Sequence, residues 1–302
     1  MLVMGVCPHE KSGCHVRKSR PRRAGNCRAF TLVELLVVIA IIGILAALIL
    51  AVLERVKGKA TGMECLNHHR QLMLAWKMYV DDAGDHLPNA KGGPHSWMTG
   101  DLDYDPSNRS NWDPTVDIMT SPLWPFCGKN AAIFKCPADP STVLVAGQAL
   151  PRVRSLSMLN WVGGRGNGKG QPANMNWSNT KLGTTSGEYR VYYRMSDMLT
   201  PGPAATFVFV EEPMDRINDG FFVTDMLTYP KTTDDICDFP AQYHNGGANF
   251  AFADGHSQIK KWTTALLLAN PAPNTVQKYP TPLPGFNPDI FWLMDHATRR
   301  IP

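Results

Sequence analysis

One carboxylate, Glu34, stands inside a run of 24 residues, Phe30 to Leu53, whose only other polar side chain is Thr31. An acid such as Asp at mid-bilayer costs about 2.5–3.5 kcal/mol on insertion scales, and less near the edge. An ordinary anchor would not keep it, so Glu34 is a functional candidate. At the other end of the chain, His244, Asp254 and His256 invite a metal reading. In extended strands Asp254 would lie about 10 × 3.3 Å from His244, too far to share an ion, so a structural His244 and a plain turn at Asp254-Gly255 are expected. Two acidic groups, Asp215-Asn218-Asp219 and Asp234-Asp235-Asp238, offer oxygen ligands for calcium but no recognisable loop pattern; solvated turns are expected, with no cofactor. Glu211 and Glu212 are adjacent, and on a strand they point to opposite faces, so they do not form a simple acid/base pair. Gly163 to Gly170 nearly spells a phosphate-binding loop but has Gly170 where Ser or Thr would bind Mg²⁺, so a flexible loop is expected. There is no nucleophile motif, no Cys-x-x-Cys and no His-Glu-x-x-His. The chain is not expected to be an enzyme.

The element that must position Glu34 is a helix. As a helix the apolar run is roughly 36 Å long, enough to cross the hydrocarbon of a bilayer. A secretory signal peptide would have an apolar core of about 7–15 residues followed by a small-residue cleavage site. A lipidated cysteine should follow the apolar run, and Cys27 precedes it. Ahead of Phe30 lie Lys11, Arg17, Lys18, Arg20, Arg22, Arg23 and Arg28 against the single acid Glu10. This asymmetry keeps the N-terminus in the cytoplasm and puts the remainder outside, and Arg55, Lys57 and Lys59 weaken it without reversing it.

The order Phe30-Thr31-Leu32-Val33-Glu34 behind a basic leader resembles the N-terminus of the type IV prepilin and type II secretion pseudopilin family. The resemblance implies a leader, 1–29, cut between Ala29 and Phe30 by prepilin peptidase, with methylation of the new Phe30 amine. It implies a membrane and assembly helix, 30–53, and an extracytoplasmic globular domain, 54–302. Ala29 departs from the glycine usual before the cut, and Ala51 stands where relatives often have proline. In the family the acid pairs with the amine of a neighbouring subunit. Phe30 and Glu34 share one helix face here, and pairing two charges in a low-dielectric medium offsets much of the cost of burying either. Gly43, Ala46 and Ala47 are small enough for close helix approach. A large pseudopilin-like group also carries a His, nine residues and Asp-Gly near its C-terminus, as His244 and Asp254-Gly255 do. It has a Cys-Pro-x-Asp element, matched by Cys136-Pro137-Ala138-Asp139, and a Cys-x-x-Asn element that Cys65-Leu66-Asn67 fits loosely.

The leader holds seven of the 30 Lys and Arg and one of the 26 Asp and Glu, so its removal turns a net charge of +4 into −2. The basic precursor is therefore no sign of nucleic-acid binding. Three of the seven cysteines also leave. Cys65, Cys127, Cys136 and Cys237 remain, an even number that fits one or two disulfides outside the cytoplasm, with free buried thiols as the alternative.

Beyond the membrane the helix is expected to continue to Asp82, with Met63, Leu66, Met73, Trp76 and Val80 at helical spacing and His69 near that stripe. Asp81, Asp82, Gly84 and Pro88 end it, and Gly58 and Gly62 are expected to loosen it. Strands are expected at Tyr189–Arg194, Thr206–Val210 and Phe221–Thr224. Asp254-Gly255 between alternating apolar runs predicts a two-residue hairpin with positive φ at both positions. Phe250 and Phe252 share a face, toward the helix. The fold class is α+β, a long N-terminal helix packed on a small antiparallel sheet within a loop-rich ectodomain. The function implied is a structural subunit of a type II secretion or related filament, in the inner membrane with a periplasmic ectodomain. Its partners would be prepilin peptidase, other pseudopilin subunits and a secretion platform. The alternative is a surface-displayed binding module, for example for polysaccharide, with Trp97, Trp112, Trp124, Trp161, Trp177, Tyr192 and Tyr193 as a sugar platform.

Overall fold

A computed structural model describes residues 31–166, 172–173, 189–226, 228–232, 235–269, 272 and 281–301. Nothing in the sequence from Leu32 to Asp82 breaks a helix, and a single 51-residue helix, α1, occupies Leu32–Asp82. It ends where Gly84 and Asp85 take left-handed φ of 64° and 74°. By contacts the chain divides into two compact units, Met1–Ala51 and Val52–Pro302.

In the first unit, Leu32–Leu50 is long and apolar enough to cross a membrane, with a mean hydropathy of 3.1, and none of it is buried. In the second, α1 buries a stripe of Gly62, Cys65, Leu66, His69, Leu72, Met73, Trp76 and Val80. Spacings of three and four put these on one face. Met63 falls off the stripe and is 54% exposed. Gly58 and Gly62 do not loosen the helix. They let it approach other chain segments: a Cβ on Gly62 would sit 3.4 Å from His244 Nδ1 and 3.5 Å from Ile259 Cδ1.

The main sheet has five strands in the order Ser257–Lys261, Gly247–Phe252, Phe207–Glu211, Leu156–Leu159 and Phe221–Phe222. All pairs are antiparallel except the last, which is parallel. The three inner strands are buried at every residue. This explains their near-continuous apolar runs, since a sheet covered on both faces has no solvent side to alternate toward. Ile259, opposite Asn249, faces α1. Phe250 faces the other way. It packs edge-on against Phe207, Trp262 and Trp292, the last from a helix, α2, at Pro288–Asp295 capped by Asn287. Phe252 stacks on His256 and meets Trp292 and His296. The shared face of Phe250 and Phe252 is therefore directed at α2, not at the N-terminal helix. A register shift between Phe207 and Phe209 puts these two residues on opposite sides. Phe209 packs on Trp97, and Trp97 stacks on Phe134.

Tyr189–Arg194 is not a strand. It makes single bridges through Tyr189, Tyr192 and Arg194 to three separate segments, so its β-prone residues serve contacts rather than a ladder. The hairpin is present, but its loop has three residues. Phe252 N–H donates to the His256 carbonyl and Gly255 N–H to the Phe252 carbonyl. Only Gly255 has positive φ, 106°. This is a turn followed by a left-handed glycine, the usual three-residue solution, and Asp254 needs no special backbone.

Candidate functional site

At the start of α1, Thr31 and Glu34 form a reciprocal cap. Glu34 Oε2 accepts from the Thr31 N–H at 2.9 Å and from its hydroxyl at 2.8 Å, while Thr31 Oγ1 accepts from the Glu34 N–H at 3.2 Å. Such a capping box satisfies two of the amides that a helix start leaves without partners. The carboxylate is thus bonded within its own chain at the end of the span. Ala29 and Phe30 lie outside the described residues. The apolar side chains around the helix are exposed, from Val38 at 44% to Leu32 at 79%, a surface that water does not tolerate and lipid or other helices do.

A second constellation lies inside the globular unit. Cys65 comes from α1, Cys136 from the end of the short 3-10 helix Ala131–Phe134, Glu211 from the end of the central strand, and His244 from the turn before Gly247–Phe252. None of the four is more than 1% exposed. Cys65 Sγ donates to Glu211 Oε2 at 3.0 Å, Cys136 Sγ lies 3.3 Å from His244 Nε2, and His244 Nε2 lies 3.0 and 3.1 Å from the two Glu211 oxygens. The Asn249 N–H holds Glu211 Oε1 at 2.6 Å, and Ser155 Oγ holds the Cys136 N–H at 2.7 Å. The turn at His244 is made by Asn245 and Gly246, with φ of 54° and 76°, and Lys261 donates to the carbonyls of both His244 and Asn245.

Burial opposes protonation of His244, but hydrogen bonds to Cys136 and Glu211 and the Glu211 charge outweigh it and raise its pKa to about 10. Burial pushes Glu211 up, and the bond to His244 and the His244 charge hold it below its usual value. Burial, then the Cys136 hydrogen bond and the Glu211 charge, push the Cys65 thiol well up. One helical turn beyond Cys65, His69 is fully buried, and burial drops its pKa to about 4.

These positions bear on several expectations and correct some of them. Cys65, Cys127 and Cys136 are free thiols, so no disulfide joins any two of the four cysteines. The first and third are drawn into the polar cluster, and Cys127 Sγ donates to the Trp124 carbonyl. Cys237 is half-buried beside the core. His244 does not act with Asp254. Asp254 Oδ1 sits on the exposed hairpin, 2.7 Å from His256 Nδ1, and Lys77 donates to the Asp254 carbonyl. The calcium candidates have partners of their own. Asp215 accepts from the Ala272 N–H, Asp219 pairs with Lys91, and Asp238 accepts from the Val223 N–H; Asp234 lies outside the described residues. Gly163 to Gly166 is not loose: a Cβ on Gly166 would meet the Gly92 carbonyl at 2.3 Å. Residues 167–170 lie outside the described residues. Three members of the expected sugar platform point inward, while Trp112, Trp124 and Tyr193 are half-buried. Trp97, Trp161 and Tyr192 are buried, with their polar tips bonded to the carbonyls of Gly220, Thr224 and Thr200, while Trp177 lies outside the described residues. Sequence reasoning missed the role of Glu211. Its one signal was a charge closing an otherwise apolar strand, Phe207-Val208-Phe209-Val210-Glu211.

Residues 25–50 match the family model of the prokaryotic N-terminal methylation motif. No curated protein and no solved structure matches the chain. The motif indicates a type IV pilin-like protein, processed by prepilin peptidase and assembling with other pilin-type subunits. With one membrane-length apolar helix among the described residues, this suggests a single-pass membrane anchor and a structural subunit.

Proposed function

We propose that the protein is a pseudopilin-like subunit of a type II secretion or related filament, held in the inner membrane with its ectodomain in the periplasm until it assembles. The observation that carries this reading is the methylation motif lying on a membrane-length helix whose apolar side chains are exposed among the described residues. Cleavage falls between Ala29 and Phe30, leaving a charged, methylated amine at Phe30. Glu34 is the assembly signal. In the free subunit its carboxylate is bonded to Thr31, and in the filament it receives a neighbour's amine, so a costly charge in lipid becomes a register mark between subunits. His244 and Asp254-Gly255 serve the ectodomain fold, and the secretion platform is the partner that receives the assembled subunits. A cytoplasmic ATPase elsewhere supplies the energy. The test is Glu34→Val. The span becomes more apolar and insertion persists, while subunit–subunit crosslinks in membrane fractions disappear. Crosslinks equal to those of the unaltered chain would remove Glu34 as the assembly signal.

A further inference from the structure

We propose that Cys65, Cys136, Glu211 and His244 form a zinc site that ties the globular half of α1 to the sheet. Among the described residues these are the one group of three or more metal-capable side chains whose donor atoms converge, all within 4.8 Å of one another. Zinc bond lengths of about 2.0–2.3 Å put the edges of a tetrahedral site at about 3.3–3.8 Å. The contact of 3.3 Å meets that range and those of 3.0 and 3.1 Å fall a few tenths of an ångström short of it; no two donors are more than 4.8 Å apart, so an ion needs shifts of about 1 Å or less. Two sulfurs, one imidazole nitrogen and one carboxylate oxygen are a donor set suited to zinc rather than to magnesium or calcium, which take oxygen ligands.

The surroundings support a site built for charge. Buried polar groups are normally bonded, yet neither ring nitrogen of His69 has a partner, and the Asn249 side-chain amide has none. His69 feels the charges of both Glu211 and His244. The carboxylate is oriented by the Asn249 N–H and the Cys136 backbone by Ser155, supports of the kind that aim metal ligands. All four donors are shut from solvent, which makes the site closed and structural, with no position for a substrate. A cleft lined by Glu64, His68, Trp112, Pro137 and Arg152 touches Cys136 and offers a way in. On binding, the two thiols and the His244 ring nitrogen Nε2 give up their protons to solvent, so that two thiolates, a neutral imidazole and the carboxylate coordinate.

The four ligands come from positions 65, 136, 211 and 244, so one ion would join the helix, the loop region, the end of Phe207–Glu211 and the turn before Gly247–Phe252. The experiment uses the full chain purified in detergent without chelators. Plasma mass spectrometry should find about one zinc per chain. Cobalt exchange should give the intense visible bands of a tetrahedral ion and near-ultraviolet thiolate charge transfer. Cys65→Ser, Cys136→Ser and His244→Ala should lose the metal, while Cys127→Ser should keep it. The cobalt spectrum of the unaltered chain decides the matter even if those variants fail to fold. A folded chain that takes up neither zinc nor cobalt overturns the proposal. So does peptide mapping that finds Cys65 and Cys136 joined to each other in the purified protein.

Discussion

Replacing Gly255 isolates the backbone cost of the hairpin. Its φ is 106°, and a Cβ there would find only Lys77 Nζ and Cδ, at 3.7 and 3.8 Å. Those are ordinary contacts, so the penalty of Gly255→Ala is almost wholly conformational. A residue held in a sparsely populated backbone region costs about 1–3 kcal/mol. Removing glycine's freedom from the unfolded chain returns about 0.4–1 kcal/mol. The net loss is about 0–2.6 kcal/mol, which at about 2–4 °C per kcal/mol for a domain of this size lowers the melting midpoint by up to about 10 °C. Gly255→Val lies at the upper end, because a β-branched residue tolerates that region worst. Two glycines bracket the result. Gly285 has open space and no left-handed φ, so Gly285→Ala is close to neutral. Gly163 has a φ of 72°, and a Cβ would fall 1.8 Å from the Pro88 carbonyl oxygen, so Gly163→Ala is worse than either. The assay is thermal unfolding of the detergent-solubilised full chain followed by near-ultraviolet circular dichroism. Equal midpoints for Gly255→Val and Gly285→Val would refute the turn geometry and the energetic reasoning built on it.

The mature chain is expected to start at Phe30 with one methyl on its amine; N-terminal sequencing and intact mass check this, and a start after Ala47 or Ala60 would reject the pilin-type reading. A fragment from Val52 to Pro302 is expected to fold without the membrane span, since these residues form one compact unit; a dispersed proton spectrum without detergent would establish it, and a collapsed one would contradict it. Trp76→Ala should cost about 3–5 kcal/mol, as for a fully buried tryptophan, because Trp76 is 0% exposed. Met63→Ala, beside the buried stripe and 54% exposed, should stay within about 0.5 kcal/mol, and denaturant midpoints that rank the two the other way would displace the stripe. Asp254→Ala should lose the bond to the His256 N–H, about 0.5–1.5 kcal/mol, with no added backbone strain; a larger drop than that of Gly255→Val would restore the two-residue turn.

The helix was legible because its signals are local: apolar content up to Leu53, a periodic stripe through Val80, and breakers at Gly84 and Pro88. The stripe's exact residues were less so, since Gly62, Cys65 and His69 are poor hydrophobic markers and Met63 is a good one on the wrong face. The hairpin was legible in place but not in turn type, because Asp254-Gly255 fits both a two-residue loop and the end of a three-residue one. Alternation told that Phe250 and Phe252 share a face. It could not tell which of two helices covers it. The buried cluster was illegible for a different reason. Its members are joined only by the fold: Cys65, Cys136, Glu211 and His244 are far apart in sequence and share no motif spacing.

The edges of the five-stranded sheet bear on how copies behave when crowded. Subunits tethered by one helix share a two-dimensional space, where local concentration is high and every exposed strand edge is a template for pairing with a neighbour. One edge here is only two residues long, Phe221–Phe222. The other, Ser257–Lys261, ends in two lysines, with Lys260 set near Asp289 and Lys261 on the carbonyls of the His244 turn. A short edge and a charged one both discourage sheet-to-sheet fusion. The globular units can therefore be crowded side by side at high density without polymerising through their strands.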